Sequence, residues 1–221
     1  EQIYYATEQV IASHRDFLEK EYEQAISEFA GDLFDEAKWQ KINSRLHELN
    51  EIGNNLASEF NEEIEQTLKN AYLMPAKLRD LAEQFLLSQQ ANFKVGFFQA
   101  KKKTEQEKTK RLDEFFNELQ QSVQATIVWK LREKFAQILQ NYEIGNESLR
   151  QAAQNFTFDV TEDLLFASLK EGATVNGNYV LNYTNEISNK IKQQCKRDAI
   201  GLLEKMQQQL TKSINGELES L

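Results

Sequence analysis

With one proline and eight glycines in 221 residues, the chain cannot punctuate an all-β sandwich, which needs a turn about every 8–12 residues. Its formal net charge of −9 makes it a poor general binder of nucleic acid, so any anionic partner must be met by a local basic patch. A mean hydropathy of −0.64 with 40% hydrophobic residues spreads the core thinly, as in long helices packed along their sides.

The first predicted helix runs from Glu1 to Phe29, with Ile11, Leu18, Tyr22, Ile26, Phe29 and Leu33 on one stripe. Gly31-Asp32 closes it and Asp35 opens the next. The second spans Asp35 to Leu73 on the stripe Trp39, Ile42, Leu46, Leu49, Leu56, Phe60, Ile64 and Leu68, with a weak spot at Gly53–Asn55. Pro75 lacks an N–H and forces Met74 out of helical geometry. A shorter helix follows from Ala76 to Ser88. Residues 89–103 have no helical period and contain Gly96, so they read as a loop or broken helix at a turning point.

The fourth helix is expected to be capped by Thr104 and to run to Tyr142 on Leu112, Phe116, Leu119, Val123, Ile127, Leu131, Phe135, Ile138 and Tyr142. Gly145-Asn146 ends it. A short amphipathic helix fits Glu147–Gln154, Asn155–Val160 is irregular, and Thr161 or Asp159 caps a helix to Lys170 that Gly172 stops. Val175–Asn178 is a turn. The last helix runs from Tyr179 to Ile214 on Tyr183, Ile187, Ile191, Ala199, Leu202, Met206, Leu210 and Ile214.

The expected architecture is all-α: an elongated antiparallel bundle of long helices with a short helical and loop insertion at one end. Stalk helices fill 1–74, the insertion 75–103 and returning stalk helices 104–221, as one continuous body.

No catalytic apparatus is legible, and catalytic, cofactor and metal residues are read as none. The chain has no GxxxxGK[ST] phosphate loop, GxGxxG, HExxH, CxxC or GxSxG. Its histidines, His14 and His47, lie on separate helices without Cys or carboxylates at ligand spacing, and read as solvated or groove-lining. Glu62, Glu63 and Glu65 read as a solvated face, because a di-metal carboxylate site needs ExxH motifs on facing core positions. Trp39 and Trp129 read as packed. The lone Cys195 reads as a small core residue and fits a reducing, cytosolic setting. No signal peptide and no apolar run of the roughly 18 residues of a spanning helix is present. The sequence opens on Glu1 rather than Met, so the expectation is an excised part of a longer protein.

One segment combines large apolar and basic groups. Phe93, Val95, Phe97 and Phe98 surround Gly96 with Lys94 among them, and Lys101, Lys102 and Lys103 follow at once, then Lys108, Lys110 and Arg111. Peripheral membrane insertion asks for this pairing: apolar side chains enter the headgroup–acyl boundary and lysines meet anionic headgroups. Lysines at a helix N-terminus oppose the helix dipole, so they are not placed there for helix stability. The residues alone leave open a partner-protein docking point, or a turn tucked back on the bundle with solvated lysines. On this reading Phe93, Lys94, Val95, Phe97, Phe98, Lys101, Lys102 and Lys103 are the candidate membrane contacts.

NAYLMPAKLRDLAEQFLLS, FKVGFFQAKKKTEQEKTKRLDEFF, VQATIVWKLRE and ASLKEGATVNGNYVLNYTNEIS together resemble the stalk of bacterial dynamin-like proteins of the Gram-positive type. In that family a helical stalk is interrupted by a small hydrophobic paddle followed by a basic helix start. The resemblance implies a lever that couples a separate GTPase domain, which uses GTP and Mg, to an anionic membrane through the paddle at residues 75–103. It further implies self-association and membrane tethering, fusion or fission, with the chain cytoplasmic and peripheral on the inner face of the cell membrane. This sequence departs from a complete member in lacking the GTPase motifs, so hydrolysis is not expected of it. A helical pore-forming toxin component and a soluble coiled-coil scaffold or adaptor are the alternatives; the short tongue containing Lys94 counts against the toxin.

Overall fold

The structure, a computed structural model, describes the backbone of residues 10–12, 14–15, 17–24, 36–142 and 147–219, and their side chains except 36–38 and 210–219. Its regular elements are α1 (Glu36–Asn70), α2 (Ala76–Ser88), α3 (Ala100–Val123), a π-helical turn (Gln124–Val128), α4 (Trp129–Asn141), α5 (Glu147–Gln154), α6 (Glu162–Phe166) and α7 (Gly177–Glu219). No strand occurs among the described residues. At 1.5 Å per residue α1 is about 52 Å long and α7 about 64 Å.

Side-chain pairings fix the directions. Phe60 stacks on Phe135, with centroids 4.7 Å apart, and Lys134 reaches Glu63 at 3.2 Å, so α1 and α4 are antiparallel. Lys77 pairs with Glu118 at 2.6 Å and Phe85 meets Phe115, which sets α2 antiparallel to α3. Lys196 pairs with Glu65 and Tyr183 lies beside Phe85, so α7 runs against both α1 and α2. Thus α1 and α2 climb to one end of the molecule, α3–α4 descends, the segment from α5 to residue 176 climbs again, and α7 descends.

The break between α1 and α2 is apolar and inside. Ala71, Leu73 and Met74 are buried in the common core, and Pro75 caps α2. The helix expected to reach Leu73 therefore stops at Asn70, because the chain must turn its apolar side chains inward ahead of the proline. Gly53 does not interrupt α1; it faces open space, and Leu56 and Phe60 hold the helix to its neighbours.

The long stripe after residue 104 is correct from Leu119 onward, but Phe115 rather than Phe116 is the fully buried member. The π turn adds a residue and brings both Ile127 and Val128 inside. Trp129, expected to be packed, is 60% exposed: two residues past Ile127 points about 200° away from the core stripe.

The ascending segment is held in an unusual way. Phe156, Phe158 and Val160 alternate into the core in extended backbone. Gln120 accepts the Val160 N–H at 2.8 Å and donates to Asp159 at 2.8 Å, Gln124 donates to the Phe158 carbonyl at 2.9 Å, and Arg132 donates to the Phe156 carbonyl. A polar row on α3, the π turn and α4 thus satisfies backbone that has no ladder of its own. Asp159 is spent in this row. Thr161 is at the cap position of α6 but makes no side-chain cap bond, and α6 ends at Phe166 rather than Lys170.

Asn176 caps α7 by accepting the Tyr179 N–H at 3.0 Å, so the helix starts at Gly177, inside the expected turn. Cys195 is buried in the core as expected. The expected boundaries at Gly31-Asp32, Asp35 and Gly145-Asn146 lie outside the described residues, as do the side chains of Leu210 and Ile214.

Candidate functional site

The end of the bundle where α2 meets α3 carries residues 89–99. Gln89 and Gln90 continue the turn of α2 through bonds to Leu86 and Leu87, and the Phe93 N–H closes on the Gln90 carbonyl at 3.0 Å. Two positive-φ residues then bend the chain sharply: Gly96 (φ 76°) and Gln99 (φ 55°). Left-handed backbone costs nothing at a glycine but strains a residue with a Cβ.

Gln99 is the cap position of α3, and the Lys103 N–H bonds back to its carbonyl at 3.1 Å. The helix therefore begins at Ala100, four residues before the expected Thr104 cap. Thr104 is buried at 8% exposure and serves differently: its Oγ1 accepts the Val95 N–H at 3.0 Å. Lys101, Lys102 and Lys103 consequently sit in the first helical turn, where the dipole opposes them. All are exposed, as is Lys94, and none of these has a carboxylate partner within 4 Å among the described residues.

The apolar residues divide into two pairs. Phe93 and Val95 are half-buried. The Arg111 guanidinium lies 5.0 Å from the Phe93 ring centroid, donates to Glu107 at 2.8 Å and donates to the Gln84 carbonyl at 3.1 Å. The hydrogen-bonded Arg111 holds the Glu107 carboxyl below its ordinary pKa. Phe97 and Phe98 have no such anchorage; they are 104% and 87% exposed, the most open large apolar side chains among the described residues. Leaving a phenylalanine in water forgoes about 2 kcal/mol of burial, so this arrangement runs against the stability of the isolated chain.

A second loop joins the same end, because the Gln90 side chain donates to the Ala173 carbonyl at 3.0 Å. Neither that contact nor the roles of Arg111 and Thr104 are visible in the sequence pattern. The Glu107–Arg111 spacing of one helical turn is the only local signal. Of the expected insertion 75–103, α2 is core: Leu78, Ala82, Phe85 and Leu86 are buried against Phe115 and Tyr183. Residues 89–99 and the first turn of α3 are what project.

Elsewhere, a groove of about 870 Å³ lies between described residues of the segment 10–24 and the start of α1, lined by His14, Leu18, Tyr22, Trp39, Leu46 and His47. His14 donates Nδ1–H to the Val10 carbonyl at 2.8 Å, and Trp39 packs 5.2 Å from Tyr22. Among the described residues no cluster of three or more His, Cys, Asp or Glu is placed to hold a metal ion. Burial pushes the Cys195 thiol up to about 12, which leaves little thiolate at neutral pH. No described helix is long and apolar enough to cross a membrane.

An all-helical bundle with an apolar and basic tip is thus what fold and site define, and the chain is related to bacterial dynamin-like proteins. It is 32% identical over 162 residues to Dynamin-like protein A of Bacillus subtilis (strain 168), a match that takes in 72% of this chain. The chain spans 13% of the length of that relative. No family model matches it and no solved structure does.

Proposed function

We propose that this chain is the stalk and membrane-contacting paddle of a dynamin-like membrane-remodelling protein, coupling a separate GTP-hydrolysing domain to an anionic bilayer. The observation that supports it above the others is the exposure of Phe97 and Phe98 beside Lys94, Lys101, Lys102 and Lys103, which have no carboxylate partner among the described residues. Phenylalanine insertion at about 2 kcal/mol each and lysine attraction at about 1 kcal/mol each are enough for roughly micromolar binding before ordering costs. The descending helices α3–α4 and α7 give such a tip rigid arms through which movement elsewhere in a longer protein reaches the bilayer. GTP and Mg belong, on this reading, to that other domain, and the location is the inner face of the cell membrane.

Co-sedimentation with vesicles containing phosphatidylglycerol tests it. The parent chain is expected to pellet, less so as salt rises. The Phe97→Asp, Phe98→Asp double variant should stay in the supernatant. Changing Lys101, Lys102 and Lys103 to Gln should weaken binding by about 3 kcal/mol, roughly a hundred-fold. Equal pelleting of parent and double variant would falsify the assignment. Dye release by the chain alone would favour a pore-former, and no vesicle binding at all a soluble scaffold.

A further inference from the structure

The exposed pair Phe97 and Phe98 raises a physical question. A short apolar loop in water gains by folding onto the nearest apolar surface, yet this loop does not. The constraint lies on either side of the pair. Phe93 is closed on Gln90 and covered by Arg111, while Val95 is tied to Thr104. From Ala100 the chain is helix. Only Gly96, Phe97, Phe98 and Gln99 lie between, and both ends of that stretch have left-handed backbone. So short a stretch, anchored at both ends, has no length to lay its side chains back on the bundle.

We propose that Arg111 is the positioning residue of the tip: it pins Phe93 to the shoulder of α3 and, with Thr104 holding Val95, keeps Phe97 and Phe98 outward before a bilayer is met. The inference rests on the membrane reading above and deepens it, since the bilayer then meets a loop already in its inserting shape and little ordering is lost on contact. The guanidinium is suited to this in a way an ammonium is not. Its plane lies near the Phe93 ring while Nε donates to Glu107 and an Nη donates to Gln84 on α2. One side chain therefore ties the loop, α2 and α3 together, and it is only 21% exposed. Lys101, Lys102 and Lys103 lack such ties and remain for headgroups.

Arg111→Lys tests the idea, because it keeps the charge and removes the fork. Without lipid, amide hydrogen exchange at Phe93 and Val95 is expected to quicken at least about ten-fold, with the urea midpoint unchanged. On phosphatidylglycerol vesicles the same variant should bind several-fold more weakly. Thr104→Val should act alike at Val95, and Thr104→Ser, which restores the acceptor, should rescue it. Exchange in Arg111→Lys equal to the parent's overturns the clamp. So does vesicle binding that Arg111→Lys preserves and Arg111→Ala loses, since Arg111 would then act as a plain charge. If the parent fails to bind vesicles, the membrane reading falls, while the lipid-free exchange still decides whether the clamp exists.

Discussion

The rings of Phe60 and Phe135 stack at 4.7 Å with an interplanar angle of 23°, joining α1 to α4. Both are fully buried, and Phe156 meets Phe135 edge-on from the extended segment. This cluster is where three limbs of the bundle share one core.

Phe135→Ala should therefore cost about 3–5 kcal/mol in stability, read from urea denaturation. Trp129→Ala, at an exposed position on the same helix, should cost less than about 1 kcal/mol. Similar losses for the two would mean that the π turn does not set the phase of α4 as described.

Gln120→Ala should leave the Val160 N–H and Asp159 without their partner on α3. The expected loss is about 1–3 kcal/mol, accompanied by faster amide exchange over residues 155–160. Gln120→Glu should be no better, because it sets a carboxylate against Asp159. An unchanged denaturation midpoint in Gln120→Ala would show that water replaces the glutamine at no cost.

The Tyr142 hydroxyl donates to Glu59 at 2.6 Å, and this bond, with burial and the adjacent carboxylate charge, raises its pKa to about 12. A group whose pKa is raised on folding contributes stability in full below its unfolded value, near 10, and loses it as pH climbs through the folded value. The parent should thus lose stability between about pH 10 and pH 12. Burial raises Tyr183 as well, so the comparison must be with Tyr142→Phe. That variant should be less stable than the parent at pH 8, and the gap should narrow as alkali deprotonates Tyr142. A constant gap across the range would remove Glu59 as the cause.

Much of the fold is legible in the sequence. Helical periodicity found Leu56, Phe60, Ile64, Leu119, Ile127, Leu131, Phe135, Ile187 and Ile191, all buried, because an apolar side chain that recurs every three or four residues has one face to hide. Pro75 marked the start of α2 because a missing N–H is tolerated there and not within a helix. The start of α3 was misplaced by four residues: Thr104 has the chemistry of a cap, but its hydroxyl is used across the loop by Val95, and nothing local announces that choice.

At the tip, the order of residues by itself determined that apolar and basic groups adjoin between Phe93 and Lys103, since adjacency along the chain needs no folding. Only tertiary structure decided which of them are free. Phe93 and Val95 became anchors and Phe97 and Phe98 became the exposed pair because Arg111 and Thr104, on a different element, reach two of the residues and not the others. Such a division depends on distances between segments far apart along the chain, and those are set by how α2 and α3 pack rather than by any pattern within residues 93–103.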